Sequence, residues 1–199
     1  MSKLKQHRPL LLASESPRRI EILRNAGINF KVKTSPYEEP QLDLPPEEVA
    51  KMHALGKIIG LLPQAGIDEK DHIYIGVDTI VVAQGQLLNK PKDKADARRM
   101  LQLQQTGHAE VISGLAIIDP LTGNEIVTTE HTLVFMSQMS PAEIEWYLDT
   151  NEWEGKSGGF AIQGQASRFF EKVEGDILNV IGLPLNRLYQ ILKSWHVFT

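Results

Sequence analysis

The chain has 199 residues, 42% of them hydrophobic and 23% charged, with a formal net charge of −4 and no cysteine. That length supports a substantial core, as one domain or two closely packed lobes, and the missing cysteines exclude disulfides, cysteine nucleophiles and cysteine-based zinc sites. The acidic balance argues against broad nucleic-acid binding; with no membrane-length apolar run and no signal-peptide pattern, no membrane association and a cytoplasmic location are expected.

In chain order, residues 1–8 are polar and expected to fray. Leu10–Ala13 is a short apolar run that reads as a buried strand. Ser16 is then placed as an N-cap with Pro17 at the first helical position, and Ile20, Leu23 and Ala26 share one face of a helix that Gly27 ends. Arg18 and Arg19 therefore ride the first turn of a helix that begins where a strand stops. Free backbone N–H groups and the positive dipole end suit an anion there, and two cations at that end oppose the dipole unless an anion joins them. The alternative is a plain strand-turn-helix with two solvated arginines.

Residues 30–34 alternate as a half-buried strand and run into Ser35-Pro36-Tyr37-Glu38-Glu39-Pro40, a proline-bounded loop with adjacent carboxylates. Pro45-Pro46-Glu47-Glu48 opens a second helix, with Val49, Met52, Ile59 and Leu62 predicted on its apolar face and Lys57 in its second half. A polar loop follows over residues 64–71. Residues 73–83, β-branched and apolar on both faces, read as a central strand interrupted by Asp78. A lone carboxylate in a buried strand is costly unless paired or metal-bound, which makes Asp78 a candidate functional residue; the alternative is a structural Asp at a bulge.

Gln84-Gly85 reads as a turn into a short strand at 86–88, closed by Asn89-Lys90-Pro91. Residues 93–105 are predicted helical, with Ala97, Met100, Leu101 and Gln104 on one side. Two antiparallel strands are expected at 111–118 and 125–135, and Ser140-Pro141-Ala142-Glu143 is a capping box starting a helix to about Asp149. A glycine-rich linker containing Lys156 leads to Phe160-Ala161-Ile162-Gln163-Gly164, a strand candidate at 168–173, and a final helix from Leu185 to about Trp195. The mixture of parallel-type and hairpin-type connections predicts an α/β or α+β class with a mixed sheet.

The polar residues at strand ends and in Gly/Pro-bounded loops are Ser14, Arg18, Arg19, Glu39, Lys57, Asp78, Lys90, Lys156 and Gln163. They combine cations for phosphates with two carboxylates for a hard divalent metal or a general base, the inventory that cleavage of a nucleoside polyphosphate needs. The six histidines show no paired ligand spacing, so a zinc site is not expected.

With these residues in place, the chain resembles the Maf family of nucleoside triphosphate pyrophosphatases over nearly its whole length. The motifs that carry the resemblance are Ala13-Ser14-Glu15-Ser16-Pro17-Arg18-Arg19, Gly76-Val77-Asp78-Thr79, Asn89-Lys90-Pro91, Phe160-Ala161-Ile162-Gln163-Gly164, Gly175-Asp176 and Asn179-Val180-Ile181-Gly182-Leu183-Pro184-Leu185. The resemblance implies one Maf-like domain over residues 1–199, an elongated mixed sheet flanked by helices with two lobes and a central cleft, and a homodimer. It implies hydrolysis of a nucleoside triphosphate to the monophosphate and pyrophosphate with a divalent cation, magnesium or manganese, with cobalt as a further option. Carried over by position, Asp78 would accept the proton of the attacking water, and Glu39, with Glu38 beside it as the fallback, would bind the metal or that water. Ser14, Arg19, Lys57 and Lys90 would hold the triphosphate.

Base preference within the family is implied by three positions, here Arg18, Thr79 and Gln163, which match the branch resembling dTTP/UTP pyrophosphatases. The branch resembling 7-methyl-GTP pyrophosphatases tends to carry Trp, Gln and Glu there, suited to stacking on a cationic purine and accepting from guanine's donors. The expectation is therefore a house-cleaning enzyme acting on dTTP, UTP and modified pyrimidine triphosphates. The alternatives are a 7-methyl-GTP pyrophosphatase and a non-catalytic regulator of septum formation. The chain departs from the family's common pattern at Met52-His53-Ala54-Leu55-Gly56-Lys57, where a Leu-Ala-x-x-Lys-Ala environment is more usual.

Overall fold

The computed structural model describes residues 5–64, 66 and 69–199, so part of the loop expected at 64–71 lies outside them. Leu10, Leu11 and Leu12 form β1 (Leu10–Leu12), fully buried, with parallel neighbours on both sides. A strand flanked by parallel partners and covered on both faces needs apolar residues in succession, and three leucines supply them. Its neighbours are β2 (Phe30–Val32) and β3 (Ile73–Ala83), the predicted central strand. The full sheet has seven strands in the order β2-β1-β3-β5-β6-β7, with β4 (Gln86–Leu88) also paired to β3, and β5 (Ala109–Asp119), β6 (Asn124–Met136) and β7 (Phe170–Glu174) completing it. With α1 (Pro17–Asn25), α2 (Pro46–Ile59), α3 (Lys94–Gln104), α4 (Pro141–Asp149), α5 (Ile177–Ile181) and α6 (Leu185–Ser194), the class is α/β with a mixed sheet.

The chain divides into two compact units, whose boundaries fall inside β3, β5 and β6: one holds the chain up to Asp78 with Ser113–Glu130 and Gly182–Thr199, the other Thr79–Ile112 and His131–Ile181. In the first unit a core of Leu11, Ala13, Ala54, Ile58, Leu61, Tyr74 and Ala116 lies between α2 and the sheet. The inward face of α2 is Val49, Ala50, His53, Ala54 and Ile58, whereas Met52 and Ile59, expected inside, are 46% and 52% exposed. The reason is close approach of helix to sheet. A Cβ on Gly76 would stand 2.1 Å from the Ala54 carbonyl oxygen, and one on Gly114 2.1 Å from that of Ala50. Small residues on the helix face bare backbone on the strands, so the larger side chains turn outward.

The N-terminal segment does not fray where it is described. Lys5 exchanges backbone hydrogen bonds with Thr199, and His7 N–H donates to Val197. Arg8 donates two bonds to Asp119, at 2.9 and 3.0 Å. Asp119 is 2% exposed and also accepts from the Leu121 N–H and the Thr122 hydroxyl, which closes the β5–β6 turn.

In the second unit a larger core gathers from β3 to β6, α3, α4 and the 153–169 region, with Tyr147, Leu148, Met100 and Phe160 among its members. The predicted inner face of α3 is the observed one: Ala97, Met100, Leu101 and Gln104. The Ser140 capping box is present in full. The strand expected at 168–173 begins at Phe170 because Gln165–Phe169 is a 3-10 turn, and α5 was not anticipated. Among the described residues no helix is long and apolar enough to cross a membrane.

Candidate active site

In the first unit, the β1–α1 junction holds Ser14, Arg18 and Arg19. The helix begins at Pro17 as predicted, but the Ser16 side chain makes no capping hydrogen bond. Instead the Ser16 N–H donates to the Ser14 hydroxyl at 3.2 Å, and that hydroxyl also accepts from Arg19 Nη1 at 3.1 Å. Arg19 Nε donates to the Gly182 carbonyl at 2.8 Å, so its guanidinium is held at two points. Burial lowers the pKa of Arg19; the nearby Asp78 carboxylate opposes this, the like charge of Arg18 adds to it, and Glu39 opposes it. Burial lowers that of Arg18 as well. Two partly desolvated cations beside the open N–H groups of a helix start form an electrostatic setting that an anion would relieve.

The second cluster of this unit is organised by Lys57. Its ammonium donates to Asp78 Oδ1 at 2.6 Å and to the Val77 carbonyl at 3.2 Å, and pairs with Glu39 Oε1 at 2.8 Å. Asp78 is 7% exposed, whereas Glu39 is open to solvent. The lysine answers the cost of a carboxylate inside a central strand. Its reach follows from the glycine-bedded seating of α2, which sets the helix backbone directly on β3. Lys57 lies at the position where the chain departs from the family's common pattern, yet its side chain meets both predicted carboxylates.

The second unit carries Thr79, Lys90, Lys156 and Gln163. The Ser157 hydroxyl donates to the Thr79 carbonyl at 3.2 Å, and the Gly158 N–H to the Asn89 carbonyl at 3.2 Å. The residues that follow Lys156 thereby tie the glycine-rich segment to the backbone of Thr79 and of Asn89, which precedes Lys90. Lys156 donates to the Glu152 carbonyl; Lys90 and Gln163 are exposed. Glu152 organises the turn after Gln163: its carboxylate accepts from the Gln165 N–H at 2.7 Å.

A family model described as Maf-like protein matches residues 9–195. The chain belongs to the Maf family. Among its relatives, a protein of Alkaliphilus oremlandii is 41% identical over 186 residues, which cover 93% of this chain and 95% of that one. One of Methanosarcina barkeri is 40% identical over 189 residues, 94% of each chain. One of Dictyoglomus thermophilum is 37% identical over 186 residues, 92% of this chain and 94% of its own. All three bear the name dTTP/UTP pyrophosphatase.

Sequence reasoning missed three residues that hold candidate side chains or their segments, Gly182 and Tyr37 in the first unit and Glu152 in the second. Gly182 supplies the carbonyl that fixes Arg19, and Glu152 holds the turn after Gln163; both contacts are long-range and leave no local signal. Tyr37, two residues before Glu39, packs on α2. Its hydroxyl pKa is raised by burial and then by the negative charges of Glu39 and Asp78. The glycine pair of Gly56 in α2 and Gly60 at its C-cap, four residues apart, was the available hint.

Among the described residues no three His, Asp or Glu side chains gather as a metal cage. Glu39 and Asp78 nevertheless converge on one cation, the Lys57 ammonium. Two hard carboxylates with open room on the Glu39 side fit a magnesium-type ion, which takes one or two protein carboxylates and completes its shell with water and substrate phosphates.

Proposed function

We propose that this chain is a dTTP/UTP pyrophosphatase, hydrolysing the triphosphate to the monophosphate and pyrophosphate. The observation that carries the reading is the near full-length similarity, at about 40% identity, to relatives bearing that name. The chemistry of the first-unit residues agrees with it. Water attacks the α-phosphorus, a new P–O bond forms, the bond to the bridging oxygen breaks, and pyrophosphate leaves. Asp78 accepts the proton of the attacking water. Lys57 orients Asp78 and, with Arg19 and Ser14, offsets the charge that develops on the departing pyrophosphate. Glu39 and Asp78 would hold the divalent cation, magnesium or manganese, which when bound neutralises phosphate charge and polarises the phosphoryl oxygens.

Lys90 is assigned to the phosphates, and Arg18, Thr79 and Gln163 to base preference, since Arg, Thr and a carboxamide suit the carbonyl-rich edge of uracil or thymine. In this reading the enzyme is a cytoplasmic homodimer with a house-cleaning role. The test is pyrophosphate release from dTTP, UTP, CTP, GTP and 7-methyl-GTP with magnesium or manganese, beside an Asp78→Asn control. Release from dTTP and UTP that disappears in the control is the expected result. Turnover of 7-methyl-GTP alone sinks the base assignment, and no turnover of any triphosphate sinks the enzymatic reading.

A further inference from the structure

The loop that carries Glu39 has no regular secondary structure between β2 and α2, yet it presents Glu39 to Lys57 at 2.8 Å. Its anchor is Tyr37. The Tyr37 ring lies on the bare backbone of Gly56, where an added Cβ would stand 2.4 Å from Cε2 and Cζ of the ring. At the C-cap of α2, a Cβ on Gly60 would stand 2.9 Å from the Ser35 hydroxyl and 3.4 Å from the Tyr37 Cβ. The two glycines thus make a groove on the helix that accepts residues 35–37. The Ser35 hydroxyl accepts from the Tyr37 N–H at 3.2 Å, and the Tyr37 hydroxyl is hydrogen-bonded to His53 Nδ1 at 3.1 Å. His53 is itself 6% exposed, and the two rings meet at 5.9 Å and 56°.

His53, Gly56 and Lys57 fall within one turn of the same helix, so the seat of the loop and the partner of its carboxylate are one rigid piece. Glycine inside a helix is a poor helix former beside alanine, so Gly56 needs a packing reason, and the ring is that reason. We propose that Tyr37 is a positioning residue: seated on Gly56 and tied to His53, it delivers Glu39 to Lys57 and so sets the geometry of the Lys57–Asp78 pair. The role rests on the pyrophosphatase reading of this site. Misplacement of Glu39 acts on the chemical step, because a positioned group loses effectiveness over shifts of about 1 Å.

The test joins UTP hydrolysis, thermal unfolding and backbone hydrogen exchange on the wild type, Tyr37→Phe, Tyr37→Ala and Gly56→Ala, with Tyr37→Ala repeated in a Glu39→Gln background. Tyr37→Ala and Gly56→Ala are expected to lower kcat about tenfold with KM changed less than about threefold. Gly56→Ala sets a methyl group 2.4 Å from the Tyr37 ring, so the gain in helix propensity is offset by the displaced ring; its unfolding temperature should stay close to that of Tyr37→Ala, with activity falling further than either melt accounts for. Exchange at residues 37–39 should quicken in both variants, and Tyr37→Phe, which keeps the ring in its seat, should retain most of the activity. In the Glu39→Gln background Tyr37→Ala should remove nothing more, since the two residues act as one unit. An equal loss in both backgrounds, or losses that merely follow the unfolding temperature, overturns the proposal. A wild type that releases no pyrophosphate sinks the pyrophosphatase reading instead, and exchange at 37–39 unchanged by Gly56→Ala would then overturn the seating of the loop as well.

Discussion

Asp78 is a carboxylate in the middle of the most apolar strand of the chain, and Lys57 lies 2.6 Å from it. The pair is asymmetric in its consequences. Asp78→Asn keeps the shape and the hydrogen-bond reach but loses the proton acceptor, and is expected to lower kcat about a hundredfold or more, measured as pyrophosphate release. Lys57→Met leaves Asp78 buried without its counter-charge, so it should lower the unfolding free energy by about 3–5 kcal/mol as well as activity, read by denaturant titration. Asp78 was legible in the sequence because an acid interrupting a β-branched run violates the local rule. Lys57 carried no such mark: a lysine near the end of a helix also complements the dipole, and nothing local tells the two roles apart. Arg18 and Arg19 were legible for the converse reason, since two cations at a helix start run against the dipole.

At the scale of elements, the seating of α2 on the sheet decides the site. Gly76 and Gly114 leave the backbone of β3 and β5 open to the Ala54 and Ala50 carbonyls. Gly114→Ala inserts a methyl group 2.1 Å from a carbonyl oxygen, which only movement of the helix can relieve. The expected loss is about 1–3 kcal/mol of stability, with activity falling further than stability because Lys57 moves with the helix. Circular dichroism melts beside kcat measure the two separately. The inward face expected for this helix holds at Val49 and fails at Met52, Ile59 and Leu62. Met52, Ile59 and Leu62 have helical spacing and high hydrophobicity, whereas the true face joins Val49, His53 and Ile58 with two alanines, Ala50 and Ala54, that are small enough for the backbones to approach. Periodicity ranks stripes by hydrophobicity; here the two contact points with Gly76 and Gly114 required small residues and turned the face. Where strong local chemistry existed, at the Ser140 box and the inner face of α3, sequence and structure coincide.

At the scale of the whole chain, Asp119 ties distant segments of the first unit together. It receives Arg8 from near the N-terminus and closes the β5–β6 turn, while Arg8 also donates to the Asp71 carbonyl at 2.8 Å. Burial would raise the Asp119 pKa, but the hydrogen bonds from Arg8, Thr122 and Leu121 outweigh it and hold the carboxyl below its usual value. A depressed carboxylate contributes stability that is present in full above its unfolded pKa of about 3.9 and lost as pH falls through the folded value. Asp119→Asn should therefore cost about 1–3 kcal/mol at neutral pH. Its deficit should shrink as the pH is taken below about 4, which melts at graded pH will measure. Light scattering at micromolar concentration tests the proposed homodimer, with a monomeric mass counting against it.

By itself the sequence determined most of the strands and helices (α5 excepted), the buried β1, the central β3 with its misplaced acid, and the Maf family. These rest on local chemistry: runs of apolar residues, caps, glycine stops and motifs short enough to read along the chain. Tertiary structure alone decided which face of α2 turns inward, that Lys57 meets Asp78 and Glu39, that Gly182 holds Arg19, and that Tyr37 sits on Gly56. Each of these joins residues far apart in sequence through contacts of a few ångströms. Such contacts depend on how closely backbones approach, and a glycine or alanine reveals that only once the element facing it is known.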